Sequence, residues 1–177
     1  MKHILLIGFK HVGKSSIGRA LADSLGLAYR DLDRALEDAY AASHLERLSA
    51  REIMERDGEA SFRALEGSVL REVLDVPEPL VISLGGGAAL AQNNHALLLG
   101  HTVIHVTAPK AMVYERMMVN GRPAFFARDK NPFEEFERMW RERESIYERL
   151  ATVTIHNDRS IEQAVRTLGV RFAPPPV

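Results

Sequence analysis

The 177-residue chain contains no cysteine, which removes disulfide frameworks and thiolate metal sites from consideration and is consistent with a reducing compartment. It also lacks any long apolar run. The opening MKHILLIGF reaches a glycine after ILLI, too short for the core of a signal peptide and far below the ~20 residues of a membrane span, so a cytoplasmic protein without membrane contact is expected. Charge of one sign is missing as well. The formal net charge is −1 and Lys and Arg are dense only within 138–149, so no nucleic-acid partner is expected and any anion must be met by a local site. Internal repeats, low-complexity segments and long polar linkers are absent. What is present is 46% hydrophobic residues, enough for the core of one domain.

Those apolar residues alternate between strand-like runs and helical spacing. HILLI (3–7), LAYRD (27–31), PLVISL (79–84), TVIHV (102–106) and TVTI (152–155) predict five strands. Helical stretches follow the first, with Ile17, Ala20, Leu21 and Leu25 in phase before Gly26, and recur at 33–42, 49–56, 59–75, 110–118, 132–149 and 160–168. Continuous apolar strands separated by helices imply an α/β fold with a parallel sheet covered on both faces. A single domain over 1–171 is expected, with the proline-rich end at 172–177 a loose tail.

Between the first strand and first helix lies GFKHVGKSS. Gly8, Gly13, Lys14 and Ser15 satisfy G-x-x-x-x-G-K-[ST] in the strand-to-helix context the motif requires. Chance would produce it about once in several hundred chains of this length. The bland alternative is an ordinary glycine-rich turn. In the functional reading, backbone N–H groups from Gly8 through Val12 to Ser16 and the helix N-terminus cradle phosphates, Lys14 reaches the β and γ phosphates, and Ser15 can ligate Mg²⁺. His11 is an irregularity, because a side chain there crowds the loop if its backbone needs positive φ. No N-K-x-D base-reading motif accompanies the loop, and LVISL ends in glycines rather than acids, so GTPases and large motor ATPases recede. A small phosphotransferase remains.

Four further stretches bear on the acceptor: YRDLD at 29–33, GEASFRALE at 58–66, SLGGG at 83–87 and RESIY at 143–147. With the phosphate loop, their order and spacing resemble the shikimate kinase family from Gly8 to about Arg159. The D-x-D appears as Asp31 and Asp33, and the nine-residue G-E-x-x-F-R-x-x-E is complete as Gly58, Glu59, Phe62, Arg63 and Glu66. Gly85, Gly86 and Gly87 match the glycine triplet, and Arg143 and Tyr147 the late R-x-x-x-Y.

The resemblance implies a P-loop kinase three-layer α/β/α sandwich on a five-stranded parallel sheet, with ATP and Mg²⁺ as cofactors, shikimate as small-molecule partner, and a monomer. It implies an acceptor-binding part at about 33–63 and a lid at about 119–131, in VNGRPAFFARDKN. Asp31 would help place Mg²⁺ through water, with Ser15 its direct ligand. Asp33 would accept from acceptor hydroxyls, as base or as orienting group. Arg63, held by Glu66, and Arg143 would grip the acceptor carboxylate, Gly85–Gly87 would present bare backbone, Arg122 would reach the transferring phosphates, and Arg159 would stack on adenine. Ala124 and Phe125 stand where the family has leucine-like residues.

Plainer readings stand beside these. Asp33 can be a helix cap, Arg63 and Glu66 an exposed i, i+3 pair, Arg143 one surface arginine among many, and the triplet a flexible loop. His3, His44, His95, His101, His105 and His156 have no metal-ligand spacing and are expected to be surface or partly buried residues. The activity implied is γ-phosphoryl transfer from ATP to the 3-hydroxyl of shikimate. A kinase for gluconate or another hydroxy acid, and a non-catalytic nucleotide-binding relative, are the alternatives.

Overall fold

The structure, a computed structural model, describes residues 2–119 and 131–172. Most of the expected lid, 120–130, and the tail after 172 lie outside the described residues. Five strands form one sheet: β1 (Ile4–Ile7), β2 (Ala28–Asp31), β3 (Leu80–Ser83), β4 (Thr102–Thr107) and β5 (Val153–His156). Their order is β2-β3-β1-β4-β5 and every pairing is parallel. β1 is central, its four residues all buried, with Leu5 in register with Ile82 on one side and Val103 on the other. This is why ILLI and LVIS read as unbroken apolar runs: both faces of the strand are covered.

Seven helices are described: α1 (Lys14–Leu25), α2 (Leu32–His44), α3 (Ala50–Leu74), α4 (Gln92–Leu98), α5 (Lys110–Val119), α6 (Pro132–Leu150) and α7 (Ile161–Phe172). α1 ends on Gly26, whose φ of 64° makes a left-handed cap. α3 starts with a reciprocal capping box between Ser49 and Glu52 and is broken at Gly58 (φ 81°, ψ 163°), so it is two helical pieces, as the expected break between 56 and 59 implies. The main core fills both faces of the sheet. A second small core, of Leu36, Tyr40, Ile53 and Phe62, joins α2 to α3 and makes the 33–63 part a packed unit of its own.

Three expectations need correction. The 3-10 turn at Ala88–Leu90 and the seven-residue α4 were not anticipated. Neither carries a side-chain N-cap, and their tie is Asn94, buried and donating to the Ala88 carbonyl at 2.9 Å. The last helix runs through Gly169 to Phe172 rather than stopping at 168. His3 and His105 are fully buried rather than at or near the surface. His3 bridges the Leu80 N–H and the Leu74 carbonyl, at 3.1 and 3.0 Å.

Because the sheet is parallel, the loops after β2, β3 and β1 leave the same edge side by side. They carry the acidic pair, the glycine triplet and the phosphate loop, and this adjacency assembles the site.

Candidate active site

The phosphate loop is shaped by residues with positive φ. Gly8 (φ 139°) lies so close to the Val106 carbonyl that a Cβ would overlap it, and Gly13 (φ 100°) is the left-handed N-cap of α1. A Cβ on Gly13 would strike the side-chain amide of Asn157, which braces the loop by donating to the Val12 carbonyl at 2.8 Å. His11 takes φ 67°, the left-handed conformation that a histidine adopts at a cost of about 1 kcal/mol. Its carbonyl accepts from Arg116 Nη1 at 3.2 Å, and burial, with the charges of Lys10, Lys14 and Arg116, lowers its imidazole pKa.

Lys14 donates to the Gly8 and Phe9 carbonyls at 3.0 and 2.8 Å, an ammonium folded into its own loop. Burial lowers its pKa to about 8, against the opposing pull of Asp33 and Asp31, so it keeps its proton at neutral pH. Ser15 and Ser16 open α1 beside it, facing the same cavity.

Asp31, ending β2, accepts from Ser15 Oγ at 3.1 Å and Tyr29 OH at 3.0 Å on one oxygen, and from the Asp33 N–H at 3.2 Å on the other. Asp31 is therefore the cap of α2, and Asp33, the residue expected to cap if the pair were merely structural, is left free for another task. Asp33 is open to water within the cleft yet ringed by protein. That desolvation and the charge of Asp31 raise its pKa, while Lys14 and Lys10 oppose the rise. The Ser15 hydroxyl and Asp31 carboxylate form an oxygen-only pair at a helix N-terminus. That donor set fits Mg²⁺, which takes few protein ligands and completes its shell with phosphate and water oxygens. Among the described residues no cluster of three or more His, Asp or Glu competes as a metal site.

The glycine triplet forms a floor between the two halves. A Cβ on Gly85 would overlap Asp33 Oδ1, and one on Gly87 would lie 2.6 Å from a guanidinium nitrogen of Arg63. The Gly86 carbonyl accepts from Tyr147 OH at 2.6 Å. Burial pushes that hydroxyl up to about 12, so it stays protonated and donates.

Arg63 donates from Nη1 to Glu66 Oε2 at 2.8 Å. Glu66 is 2% exposed, so this is no solvated surface pair: a buried carboxylate orients the guanidinium. Arg143 is half-buried from α6, its guanidinium carbon 5.2 Å over the Phe9 ring, and burial together with the Arg63 charge lowers its pKa. The Arg63 guanidinium is thus within electrostatic reach of Arg143.

A cavity of about 330 Å³ joins Lys10, His11, Gly13, Lys14, Ser15, Ser16, Asp31, Asp33, Gly85 and Gly86. Arg159 lines a different hollow with His156 and Gln163, on the turn that carries Asn157. Arg122 lies outside the described residues. Sequence reasoning passed over Lys10 and Asn157. Lys10 sits at a variable position of the motif, and Asn157 acts across 145 residues of chain, with no local signal to mark it.

Comparison with known proteins agrees with this geometry. A family model described as shikimate kinase matches residues 10–171. A curated shikimate kinase of Rhodococcus jostii is 34% identical over 96% of each chain, and one of Rhodococcus erythropolis is 38% identical over 87% of this chain and 86% of that one. Among solved structures, shikimate kinase from Acinetobacter baumannii in complex with shikimate superposes with a TM-score of 0.83 at 26% identity, covering 98% of this chain and 94% of that one. Shikimate kinase from Aquifex aeolicus gives 0.71 at 28% identity over 96% and 94%.

Proposed function

The chain belongs to the shikimate kinase family, and we infer from that premise and from the site that it transfers the γ-phosphoryl group of ATP to the 3-hydroxyl of shikimate. The products are shikimate 3-phosphate and ADP. The observation that carries this reading is the glycine floor with Asp33 over one end and Arg63 over the other, beside the phosphate loop. A ring acceptor with a hydroxyl at one side and a carboxylate at the other is bound at both ends by that arrangement.

In this reading the loop amides and the α1 N-terminus hold the β and γ phosphates, and Lys14 leaves the Gly8 and Phe9 carbonyls to meet them. Ser15 and Asp31 would hold Mg²⁺, which would neutralise phosphate charge there. Arg63 and Arg143 clamp the acceptor carboxylate, Tyr147 fixes Gly86, and the Gly86 N–H, which makes no hydrogen bond among the described residues, faces the acceptor. Asp33 orients the hydroxyl in line and takes its proton as the new P–O bond forms. Phosphoryl transfer has a loose transition state, so orientation outweighs deprotonation here. Arg122 is assigned to the transferring phosphates and Arg159 to adenine.

We read 1–171 as one kinase domain with its acceptor part at 33–63 and its lid at 119–131. We also propose a cytoplasmic monomer without nucleic-acid or membrane partners: the family resemblance implies a monomer, and a net charge of −1 gives no general attraction to polyanions. Among the described residues no helix is long and apolar enough to cross a membrane. The test is ADP release with shikimate, with gluconate and with no acceptor. Turnover dependent on shikimate, yielding its 3-phosphate, is expected, and turnover with gluconate but not shikimate overturns the assignment.

A further inference from the structure

Lys10 is a second lysine of the phosphate loop, outside the motif. It is exposed, lines the same cavity as Lys14 and Asp33, and makes no hydrogen bond or ion pair among the described residues. Its place follows from the glycine floor. Gly85 lies beneath Asp33 and Gly87 beneath Arg63. Gly86, between them, lies beneath Lys10, whose backbone nitrogen and Cβ are 3.5 and 3.9 Å from where a Gly86 Cβ would stand. The floor between Asp33 and Arg63 therefore runs beside the backbone of Lys10, whose side chain shares the cavity with Asp33.

The charges decide which end the ammonium serves. Lys10 acts on Asp33, on Lys14 and on His11, all at the phosphate end. The groups that act on Arg143 are Tyr147, Arg63 and Glu142, with Lys10 not among them. Lys14 is buried within the loop, so it meets the phosphates from the inside. Lys10 is exposed and lines the same cavity, so its ammonium is free to approach that space from outside the loop.

We propose that Lys10 is a second phosphate-binding cation of this site, contacting the phosphoryl group from the acceptor side during transfer and holding the phosphate ester of the product. The inference rests on the phosphotransferase reading above. The bond from the γ phosphorus to the bridging oxygen breaks, the bond to the acceptor oxygen forms, and the hydroxyl proton goes to Asp33. Lys10 neither gains nor loses a proton, and its contribution is charge placed where the equatorial phosphoryl oxygens are.

Lys10→Met keeps the length of the side chain and removes the charge, whereas Lys10→Arg keeps the charge. Lys10→Met should lower kcat and raise the inhibition constant of shikimate 3-phosphate by about tenfold each, the low end for a charge-assisted contact because the group is exposed. ADP affinity and the KM for shikimate should stay within about twofold, since neither carries a phosphate on the acceptor side. Lys10→Arg should recover most of the loss. A purely structural role in the loop would weaken ADP equally and would not be rescued by arginine, and that outcome, or a kcat and inhibition constant unchanged in Lys10→Met, overturns the proposal. If the wild type itself ignores shikimate, the acceptor assignment fails, and Lys10 is then judged by inorganic tripolyphosphate against pyrophosphate. Weakened binding of tripolyphosphate alone in Lys10→Met supports the second cation, and equal or no weakening overturns it.

Discussion

From Gly8 to Ser15 the backbone is held by φ angles, by Asn157 and by the close Val106 carbonyl. Around Asp33, Arg63 and Arg143 it is the ends of side chains that are held, Arg63 by the buried Glu66 and Arg143 by the face of Phe9. The first region is shaped by conformation, and adding a Cβ at Gly8 or Gly13 means a collision. The second is shaped by charge balance. Burial at 2% exposure raises the Glu66 pKa, and the hydrogen bond and charge of Arg63 oppose that rise. Arg143 bears the repulsion of Arg63. Conformational sites fail all at once, while charge-balanced sites fail in steps, and the two halves should respond to substitution accordingly.

Lys14 is the buried charged side chain of the backbone half, so its loss should have the largest effect. Lys14→Ala should abolish transfer, since such electrostatic contacts are worth roughly 3 kcal/mol or more in the transition state. Retention of more than about a tenth of wild-type turnover would show that the amides alone suffice. The same group sets a pH limit. Burial lowers the Lys14 pKa to about 8, and only its protonated form attracts phosphate. Because kcat/KM reports the free enzyme, kcat/KM for ATP should be level below that pH and fall about tenfold per unit above it. A profile flat to pH 10 would mean that Lys14 is not the charge that matters.

The acceptor half should lose in steps. Arg63→Ala leaves a carboxylate partly unpaired at a loss of about 2 to 4 kcal/mol, or roughly thirty-fold to several-hundred-fold in KM or kcat/KM for shikimate, with the ATP KM little changed. Arg143→Ala should resemble it, and if both arginines hold one group the double variant should cost less than the sum. Steady-state kinetics of the three variants decide this. Additive losses would break the shared-anion clamp, and a matching rise in the ATP KM would erase the division between the halves.

The same division explains what could be read from sequence. The phosphate loop, the acidic pair, the triplet and the 58–66 stretch were legible because each is a local pattern on one strand-to-helix junction or one helix, and the parallel sheet then brings three of them to a common edge. Their partners were not. Tyr147 finds the Gly86 carbonyl across 61 residues of chain and Asn157 finds Val12 across 145, contacts that no spacing rule encodes. That Asp31 rather than Asp33 caps α2 was open between two carboxylates two residues apart, and backbone geometry alone decides it. α4 escaped because seven residues without a capping side chain carry too little helical signal.

The smallest expected effect tests the backbone half most finely. His11 sits at φ 67°, so replacing it by glycine removes strain of about 1 kcal/mol but frees the unfolded chain by a similar amount. The two changes nearly cancel. Thermal stability of His11→Gly should stay within about 1 kcal/mol of wild type, and turnover within about threefold, because the loop presents amides rather than the imidazole. His11→Asn should behave alike, since asparagine tolerates the left-handed region. His11→Val should not: a β-branched side chain there adds strain of about 1 to 2 kcal/mol and should lower both the melting temperature and the affinity for ATP. The ranking, glycine and asparagine near wild type with valine below, follows only if the backbone conformation is what position 11 contributes. Were His11→Gly to lose turnover on the scale of Lys14→Ala while keeping its melting temperature, the imidazole itself would be a ligand of the phosphates, and the loop would depend on side chains as the acceptor half does.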